Sequence, residues 1–233
     1  MTEQTLYTRS ALGSRDGSGV VHNQSAVSES QANSEQKPAV DALEHGRYQQ
    51  SIGQITLAEC ESIALVSIAF QAVQADAIAT ALRNSCELEW PPVGLSTTGV
   101  QSIRLMALQA DQCWLSWPDE NPAAEQTVRG WLGDAKACLT NQSDGWACLE
   151  MTGASCQQVM ERLCAVDLHD SQCPVNTCVR TVVEHTGTLL IRVDEQQFRF
   201  ISPRSSVRSL LHAIESVAVH IKNEQVMQIQ GSD

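Results

Sequence analysis

Two side chains of complementary chemistry lie close together in the second half of the chain, in the segment Val166-Asp167-Leu168-His169. A carboxylate two residues from an imidazole could orient that imidazole as a general base. However, no serine or cysteine stands in a recognisable nucleophile setting, and the chain contains no G-x-S-x-G sequence. The commoner role of such a pair is structural: Asp167 caps backbone N–H groups, while His169 packs at a domain or subunit surface. We therefore predict no catalytic residue and keep Asp167 and His169 as candidate interface contacts.

Nine cysteines are spread over the chain without a single C-x-x-C pair. Four residues, Cys164, His169, Cys173 and Cys178, could in principle converge on a metal ion. Structural zinc sites usually pair their ligands two to four residues apart, and these separations match no standard site. Most of the cysteines fall where Val or Ala would serve, and a reduced thiol behaves there as a small hydrophobe. We therefore predict no metal site, and interpret the thiols as core residues of a protein from a reducing compartment.

Arg204 is a third candidate contact, because it follows Ser202-Pro203 where the last helix is predicted to start. An arginine at that place could hold an anion, helped by the free N–H groups of the helix. It could equally pair with a carboxylate of this acidic chain, which is the commoner outcome. An anion contact and an interface contact both stay open for this residue.

The elements that must position these residues repeat once along the chain. The order strand, helix, strand, strand, helix, strand fits residues 61–141 and again residues 145–230, with Leu65–Phe70 matching Ala147–Met151. A period of about eighty residues is too long for a solenoid repeat and suits two split β-α-β-β-α-β units. The sequence therefore predicts an α+β fold of two consecutive ferredoxin-like units.

The second half gives the clearer pattern. Helices are predicted from about Ala154 to Ala165, where apolar residues keep i, i+3, i+4, i+7 spacing, and from Ser205 to about His220. Three extended segments separate them, and Gln225–Gln230 is predicted to close the unit as a final strand. In the first half, Asn121-Pro122 is predicted to start a helix that runs through Leu132.

Composition bounds the rest of the chain. Residues 1–50 are polar and poor in large apolar side chains, so we predict a disordered leader before a single domain over residues 51–233. The formal net charge of −12 disfavours a nucleic-acid surface and an anionic membrane surface as partners. No apolar run is long enough to span a bilayer, and no secretory signal is visible. These features predict a cytoplasmic protein.

Several segments together resemble a known family. Its features here are Ser143-Asp144-Gly145-Trp146 before a strand, Met151-Thr152-Gly153-Ala154-Ser155 leading into a helix, and the Asp167-Leu168-His169 loop. Further matches are Phe198–Ser205, which contains Pro-Arg-Ser before an amphipathic helix, and Gln109–Leu115 with its Trp-Leu hairpin. The chain thus resembles the gamma subunit of heterotetrameric sarcosine oxidase, over about Ile63 to Val219. It departs from the family pattern in its long leader and at Cys173, where the family often has Phe.

The resemblance implies a fold related to the folate-binding domain of the glycine-cleavage aminomethyltransferase. It also implies a non-catalytic role in an oxidase that demethylates sarcosine to glycine, with folate as the one-carbon acceptor. FAD, FMN, NAD and tetrahydrofolate would then be held by the partner subunits, alpha, beta and delta, and no cofactor by this chain. The chain shows no dinucleotide-binding fingerprint, which agrees with this expectation. Alternatives are a free-standing folate-binding or aminomethyltransferase-like protein, and a ligand-sensing module of two ferredoxin-like units.

Overall fold

A computed structural model of the chain describes residues 48–60, 63–119 and 123–230. The strands are β1 (Gln49–Ile52), β2 (Ile55–Glu59), β3 (Ile63–Ala69), β4 (Ser96–Thr98), β5 (Arg104–Gln109), β6 (Gln112–Pro118), β7 (Cys138–Asn141), β8 (Trp146–Thr152), β9 (Cys178–Val183), β10 (Thr186–Asp194) and β11 (Gln197–Pro203). The α-helices are α1 (Ala75–Cys86), α2 (Ala124–Leu132), α3 (Cys156–Leu163) and α4 (Val207–Gln230). None of the helices in these described ranges is long and apolar enough to cross a lipid bilayer.

The first half forms an antiparallel sheet, here called sheet 1, in the order β4-β5-β6-β3-β7. Successive side chains of a strand point to opposite faces of the sheet, and α1 and α2 cover one of these faces. Val66 and Ile68 of β3 pack there with Ile78 of α1 and Val128 of α2. The order β7-β3-β6-β5, with two helices on one face, is that of a split β-α-β-β-α-β unit.

The second half forms an antiparallel sheet, here called sheet 2, in the order β1-β2-β8-β11-β10-β9. Helices α3 and α4 cover one face of it. Leu149 of β8 and Phe200 of β11 pack there against Val159 of α3 and Ile214 of α4. The order β8, α3, β9, β10, β11, α4 repeats the order β3, α1, β4, β5, β6, α2 of the first half, so the predicted duplication is confirmed up to the last helix.

The two sheets pack on each other through their other faces. Leu65 and Met106 of sheet 1 share a buried apolar cluster with Ile191 and Ile201 of sheet 2. The edges of the two sheets also touch, since the Ser96 N–H donates to the carbonyl of Asn176 at 2.8 Å. The described chain is therefore built in four layers, with helices outside and two sheets inside, and each antiparallel sheet has its helices on one face, as in the predicted α+β class.

One predicted strand is wrong. Gln225–Gln230 lies in the last turns of α4, which runs ten residues past the predicted end at His220. Gln and Met favour a helix, and no Gly or Pro interrupts this stretch. The position next to β8 in sheet 2 is occupied by β2, which precedes the first unit in the sequence. The hairpin of β1 and β2 therefore supplies the strand that the second unit lacks.

The structure describes only the end of the predicted N-terminal leader. Residues 1–47 of the predicted leader lie outside the described residues, while Gln49 and Gln50, which the prediction placed in the leader, belong to β1. The predicted helix start at Asn121-Pro122 also lies outside the described residues. Helix α2 begins at Ala124 and ends at Leu132, the predicted end.

Candidate functional site

The loop between α3 and β9 carries Asp167 and His169. The Oδ1 atom of Asp167 accepts a hydrogen bond from the backbone N–H of His169 at 3.0 Å, which is the capping contact predicted for it. The Nδ1 atom of His169 lies 2.8 Å from the Oγ atom of Ser171, and the imidazole is exposed. The carboxylate thus contacts the backbone while the imidazole contacts a serine. The geometry supports a local structural role, and an interface role stays a prediction for both residues.

A residue that the sequence analysis missed holds this loop in place. Arg192 of β10 donates from Nη1 to the carbonyl oxygens of Cys173 at 2.6 Å and Leu168 at 3.3 Å. Its Nη2 atom also lies 2.8 Å from Oδ1 of Asp170, and the Arg192 side chain is only 4% exposed. The clue in the sequence was a single charge inside the apolar run Leu189-Leu190-Ile191-Arg192-Val193, because a buried charge needs partners.

Arg204 fastens the end of β11 to the start of β8. Its Nε atom donates to the carbonyl of Asp144 at 3.0 Å and its Nη2 atom to the carbonyl of Trp146 at 2.9 Å. It precedes the first residue of α4 by three positions, so it is not part of the helix. An anion contact stays a prediction, although these two N–H groups are already engaged by carbonyl oxygens. Arg204 and the α3–β9 loop lie at opposite ends of the β10–β11 hairpin, so the candidate residues do not converge.

Charged side chains instead meet between the two sheets. Glu150 of β8 and Arg199 of β11 form an ion pair of 2.7 Å on the face of sheet 2 that meets sheet 1. Arg104 of β5, itself buried, donates to Oγ of Ser96 at 2.8 Å and to Oδ1 of Asn176 at 3.1 Å. Burial, and then the nearby Arg199, lower the pKa of the Arg104 guanidinium. Arg104 therefore joins the two sheets at a point where an unpaired charge would be costly.

Two thiols lie on the same inter-sheet face. The Sγ atoms of Cys60 and Cys148 are 3.1 Å apart, and the backbone N–H of Cys60 donates to the carbonyl of Cys148 at 2.9 Å. The hydrogen bond from Cys148, opposed by burial and aided by the charge of Arg199, lowers the pKa of Cys60. The same hydrogen bond and burial raise the pKa of Cys148 well above its usual value. No spacing in the sequence indicates this pair, because the residues are 88 positions apart.

Six of the other seven thiols fit the predicted core role, and Cys138 does not. Cys86, Cys113, Cys156, Cys164, Cys173 and Cys178 are buried, and Cys138 is exposed. Burial raises the pKa of Cys86 to about 11 and that of Cys156 to about 12. Over residues 48–60, 63–119 and 123–230, no group of three or more His, Cys, Asp and Glu side chains is arranged to hold a metal ion. The four residues considered for a metal are therefore not brought together as ligands.

A surface cavity of about 410 Å³ opens beside the inter-sheet cluster. Trp114 and Trp146 line it and contact each other edge to face, with ring centroids 5.1 Å apart. The guanidinium of Arg180 lies 4.9 Å from the centre of the Trp114 ring. Two indoles and a cation in one concave surface suit an apolar side chain or ring from a partner. Trp114 and Trp146 are therefore candidate anchors for a partner protein.

The chain is similar to several known proteins. A model described as "Sarcosine oxidase, gamma subunit family" matches residues 71–231. The sarcosine oxidase subunit gamma of Corynebacterium sp. (strain U-96) is 30% identical over 114 residues, which are 49% of this chain and 55% of that protein. The subunit gamma of Corynebacterium sp. (strain P-1) is 28% identical over 114 residues, with the same coverage. The chain thus spans about half the length of the curated relatives it matches.

Two solved structures share the fold. One is a chain of the heterotetrameric sarcosine oxidase from Corynebacterium sp. U-96 in complex with pyrrole 2-carboxylate, with a TM-score of 0.63 and 23% identity over 74% of this chain and 88% of that chain. The other is glycine cleavage system aminomethyltransferase T from Bartonella henselae, with a TM-score of 0.54 and 11% identity over 70% of this chain and 46% of that chain. They support the predicted aminomethyltransferase-like fold. Since the family match covers more than half of the 233 residues, this chain belongs to the sarcosine oxidase gamma subunit family.

Proposed function

We propose that this chain is a non-catalytic gamma subunit of a heterotetrameric sarcosine oxidase and assembles with alpha, beta and delta subunits. The observation that carries this proposal is the family match over residues 71–231. In this proposal the complex demethylates sarcosine oxidatively to glycine, with folate as the one-carbon acceptor. FAD, FMN, NAD and tetrahydrofolate are bound by the partner subunits, and the complex works in the cytoplasm.

The contacts of the candidate residues support the non-catalytic part of the proposal. Asp167 accepts from a backbone N–H, and Arg204 donates to two backbone carbonyl oxygens. Arg192 likewise holds the α3–β9 loop through carbonyl oxygens. Side chains engaged in this way shape the fold and are not positioned as an acid–base pair around a cavity.

The far end of α4 supports assembly with a partner subunit. Ile221 is the last buried residue of this helix, so the turns after it extend beyond the core. Val219, Val226 and Ile229 lie on one face, since they are spaced seven and three residues apart, and they are 46%, 45% and 71% exposed. These exposed apolar side chains flank Lys222 and Asn223 and are candidates for contact with a partner protein. We propose that a neighbouring subunit of the oxidase covers this face, here called the α4 end face.

Co-purification tests the proposal. A tagged full-length chain expressed in its native cells should co-elute larger subunits with a flavin absorbance spectrum and produce peroxide when sarcosine is added. Replacing Val226 and Ile229 by Glu should lower recovery of the partners at least tenfold, because about 1.4 kcal/mol of lost binding free energy suffices for that factor. Val73→Glu is the matched control, since Val73 is 79% exposed but lies in the first half.

Three outcomes would contradict the proposal. A wild-type chain that elutes alone and colourless would remove the oxidase role. Full recovery of partners with the Val226 and Ile229 variant would remove the α4 end face from the interface. Tight folate binding by the isolated chain would favour the alternative, a free-standing folate-binding or aminomethyltransferase-like protein, which the fold match with aminomethyltransferase T supports.

A further inference from the structure

Cys60 directly follows β2 and stands opposite Cys148 of the neighbouring antiparallel strand β8. The register of β2 and β8 pairs Glu59 with Leu149, so the next pair along the strands is Cys60 and Cys148. Opposite residues in an antiparallel pair have Cα atoms about 4.5–5.5 Å apart, within the range of about 4.4–6.8 Å that a disulfide spans. The sulfur atoms are 3.1 Å apart, so a shift of about 1 Å would bring them to bonding distance.

The two thiols differ in access and in charge environment. Cys60 is partly exposed, whereas Cys148 is 3% exposed. The thiol of Cys148 donates to the sulfur of Cys60, and the guanidinium of Arg199 adds a positive charge nearby, so both lower the pKa of Cys60. A reachable thiol of lowered pKa beside a second, protected thiol is the arrangement of a redox-active pair.

We propose that Cys60 and Cys148 are a redox-active dithiol, which hydrogen peroxide converts into a disulfide between the end of β2 and β8, and which a thiol reductant restores. The Cys60 thiolate attacks one oxygen of the peroxide, so that an S–O bond forms, the O–O bond breaks and the leaving hydroxide takes a proton to become water. The sulfur of Cys148 then attacks the sulfur of Cys60, so that the S–S bond forms and the S–O bond breaks. The second water leaves with the proton of Cys148. The two thiols lose two electrons in total, and the peroxide gains them.

The position of the pair gives the disulfide a structural consequence. Cys60 lies where the chain leaves sheet 2 after β2 and enters sheet 1 at β3. A bond to Cys148 would fasten the β1–β2 hairpin, which completes sheet 2, to the first strand of the second unit. Because the bond would close a loop of 88 positions, we expect the Tm of the oxidised chain to rise by about 5–10 °C. The proposal does not depend on the oxidase role.

Oxidation of the full-length chain tests the proposal. A Cys138→Ser background removes the exposed thiol, and hydrogen peroxide is then added in small excess. We expect a mass loss of two hydrogens, a peptide cross-link that joins the segments of Cys60 and Cys148, and reversal by dithiothreitol. A Cys148→Ser variant should instead accumulate a sulfenic acid at Cys60 that dimedone traps, so the proposal can be tested even if another variant does not fold.

Two charge variants test the role of Arg199. Arg199→Met should slow the oxidation of Cys60 severalfold, because it removes a positive charge that lowers the pKa of that thiol. Glu150→Gln, which removes the opposing charge of the same ion pair, should not slow it. Retention of both thiols by the Cys138→Ser chain under peroxide, or failure of dimedone to label Cys60 in the Cys148→Ser chain, would overturn the proposal. A cross-link between other cysteines would overturn it as well.

Discussion

The guanidinium of Arg192 is enclosed by the loop between α3 and β9, where carbonyl oxygens of Leu168 and Cys173 accept its N–H groups. It also lies 5.9 Å from the centre of the Phe198 ring. A loop without strand or helix needs donors for its buried carbonyls, and one arginine from β10 donates to two of them. The position of Asp167 and His169 therefore depends on a residue of a different element.

We predict that Arg192→Leu lowers the free energy of unfolding by about 3 kcal/mol, because two buried carbonyl groups lose their donor. Asp170→Asn removes the charge of its ion-pair partner but should cost at most about 1 kcal/mol, since Asp170 is 82% exposed. Urea denaturation of both variants measures the two changes, and amide hydrogen exchange should show faster exchange in the α3–β9 loop for the first alone. Equal losses from the two substitutions would mean that the ion pair, and not the carbonyl contacts, holds the loop.

The residue-scale predictions from sequence succeeded where the partner is close in the chain. The cap that Asp167 forms lies two residues away, so local chemistry was enough to predict it. Cys60 and Cys148 were grouped with the other thiols because their contact depends on how β2 pairs with β8. That register follows from tertiary packing, which no short-range pattern in the sequence encodes.

At the scale of elements, the hairpin of β1 and β2 is the part that sequence reasoning did not place. The repeated pattern located most of the strands and helices of both halves, since each carries its own apolar periodicity. The sequence pattern predicted the last strand of the second unit after the last helix. The structure fills that position from before the first unit, and the hydroxyl of Tyr48, next to β1, donates to Glu215 of α4. Periodicity identifies an element but not its neighbour in the sheet.

Gly153 tests how closely this hairpin packs against the second unit. It has φ of +126°, and a Cβ atom there would lie 2.0 Å from the carbonyl oxygen of Gln54, in the turn between β1 and β2. We predict that Gly153→Ala lowers the free energy of unfolding by about 3 kcal/mol, from the strained backbone and the forced separation of the turn. Thermal and urea unfolding measure this, and exchange of the β2 amides should become faster.

Gly130→Ala is the matched control for that substitution. Gly130 lies within α2, and a Cβ atom there meets nothing within 4 Å. Alanine should stabilise the helix by up to about 1 kcal/mol, because glycine costs that much in a helix interior. If Gly153→Ala is as harmless as Gly130→Ala, then the hairpin is not held tightly against the turn after β8.

On the scale of the whole molecule, two similar halves place their sheets face to face and their helices outside. The sequence predicted the class and the duplication, because the same order of strands and helices fits both halves of the chain. The association of the two halves decides which faces meet. It also places Arg104, Glu150 and Arg199 between those faces. Most of the buried thiols lie inside one half, between its sheet and its helices, and this burial gives the molecule a measurable response to alkaline pH.

Burial raises the pKa of Cys86 to about 11 and those of Cys156 and Cys178 to about 12. In the unfolded chain a thiol ionises near a pKa of about 8.5, so above that pH the unfolded state loses protons that the folded state keeps. The free energy of unfolding is therefore unaffected by these thiols below about pH 8 and falls as pH rises toward their folded pKa values. The slope is about 1.4 kcal/mol per pH unit for each thiol that is ionised only in the unfolded chain.

Urea unfolding from pH 7 to pH 10.5 under reducing conditions should show this decline. Tyrosine and lysine also titrate there, so the difference between variants isolates the contribution of one thiol.

Cys156→Ala should be less stable than the wild type at pH 7, because it leaves a small cavity. Its stability should nevertheless fall less steeply with pH, so the two curves converge toward pH 10.5. Cys138→Ala, at an exposed position, should run parallel to the wild type throughout. Parallel curves for Cys156→Ala and the wild type would mean that the thiol of Cys156 reaches water in the folded protein, against its complete burial between α3 and sheet 2.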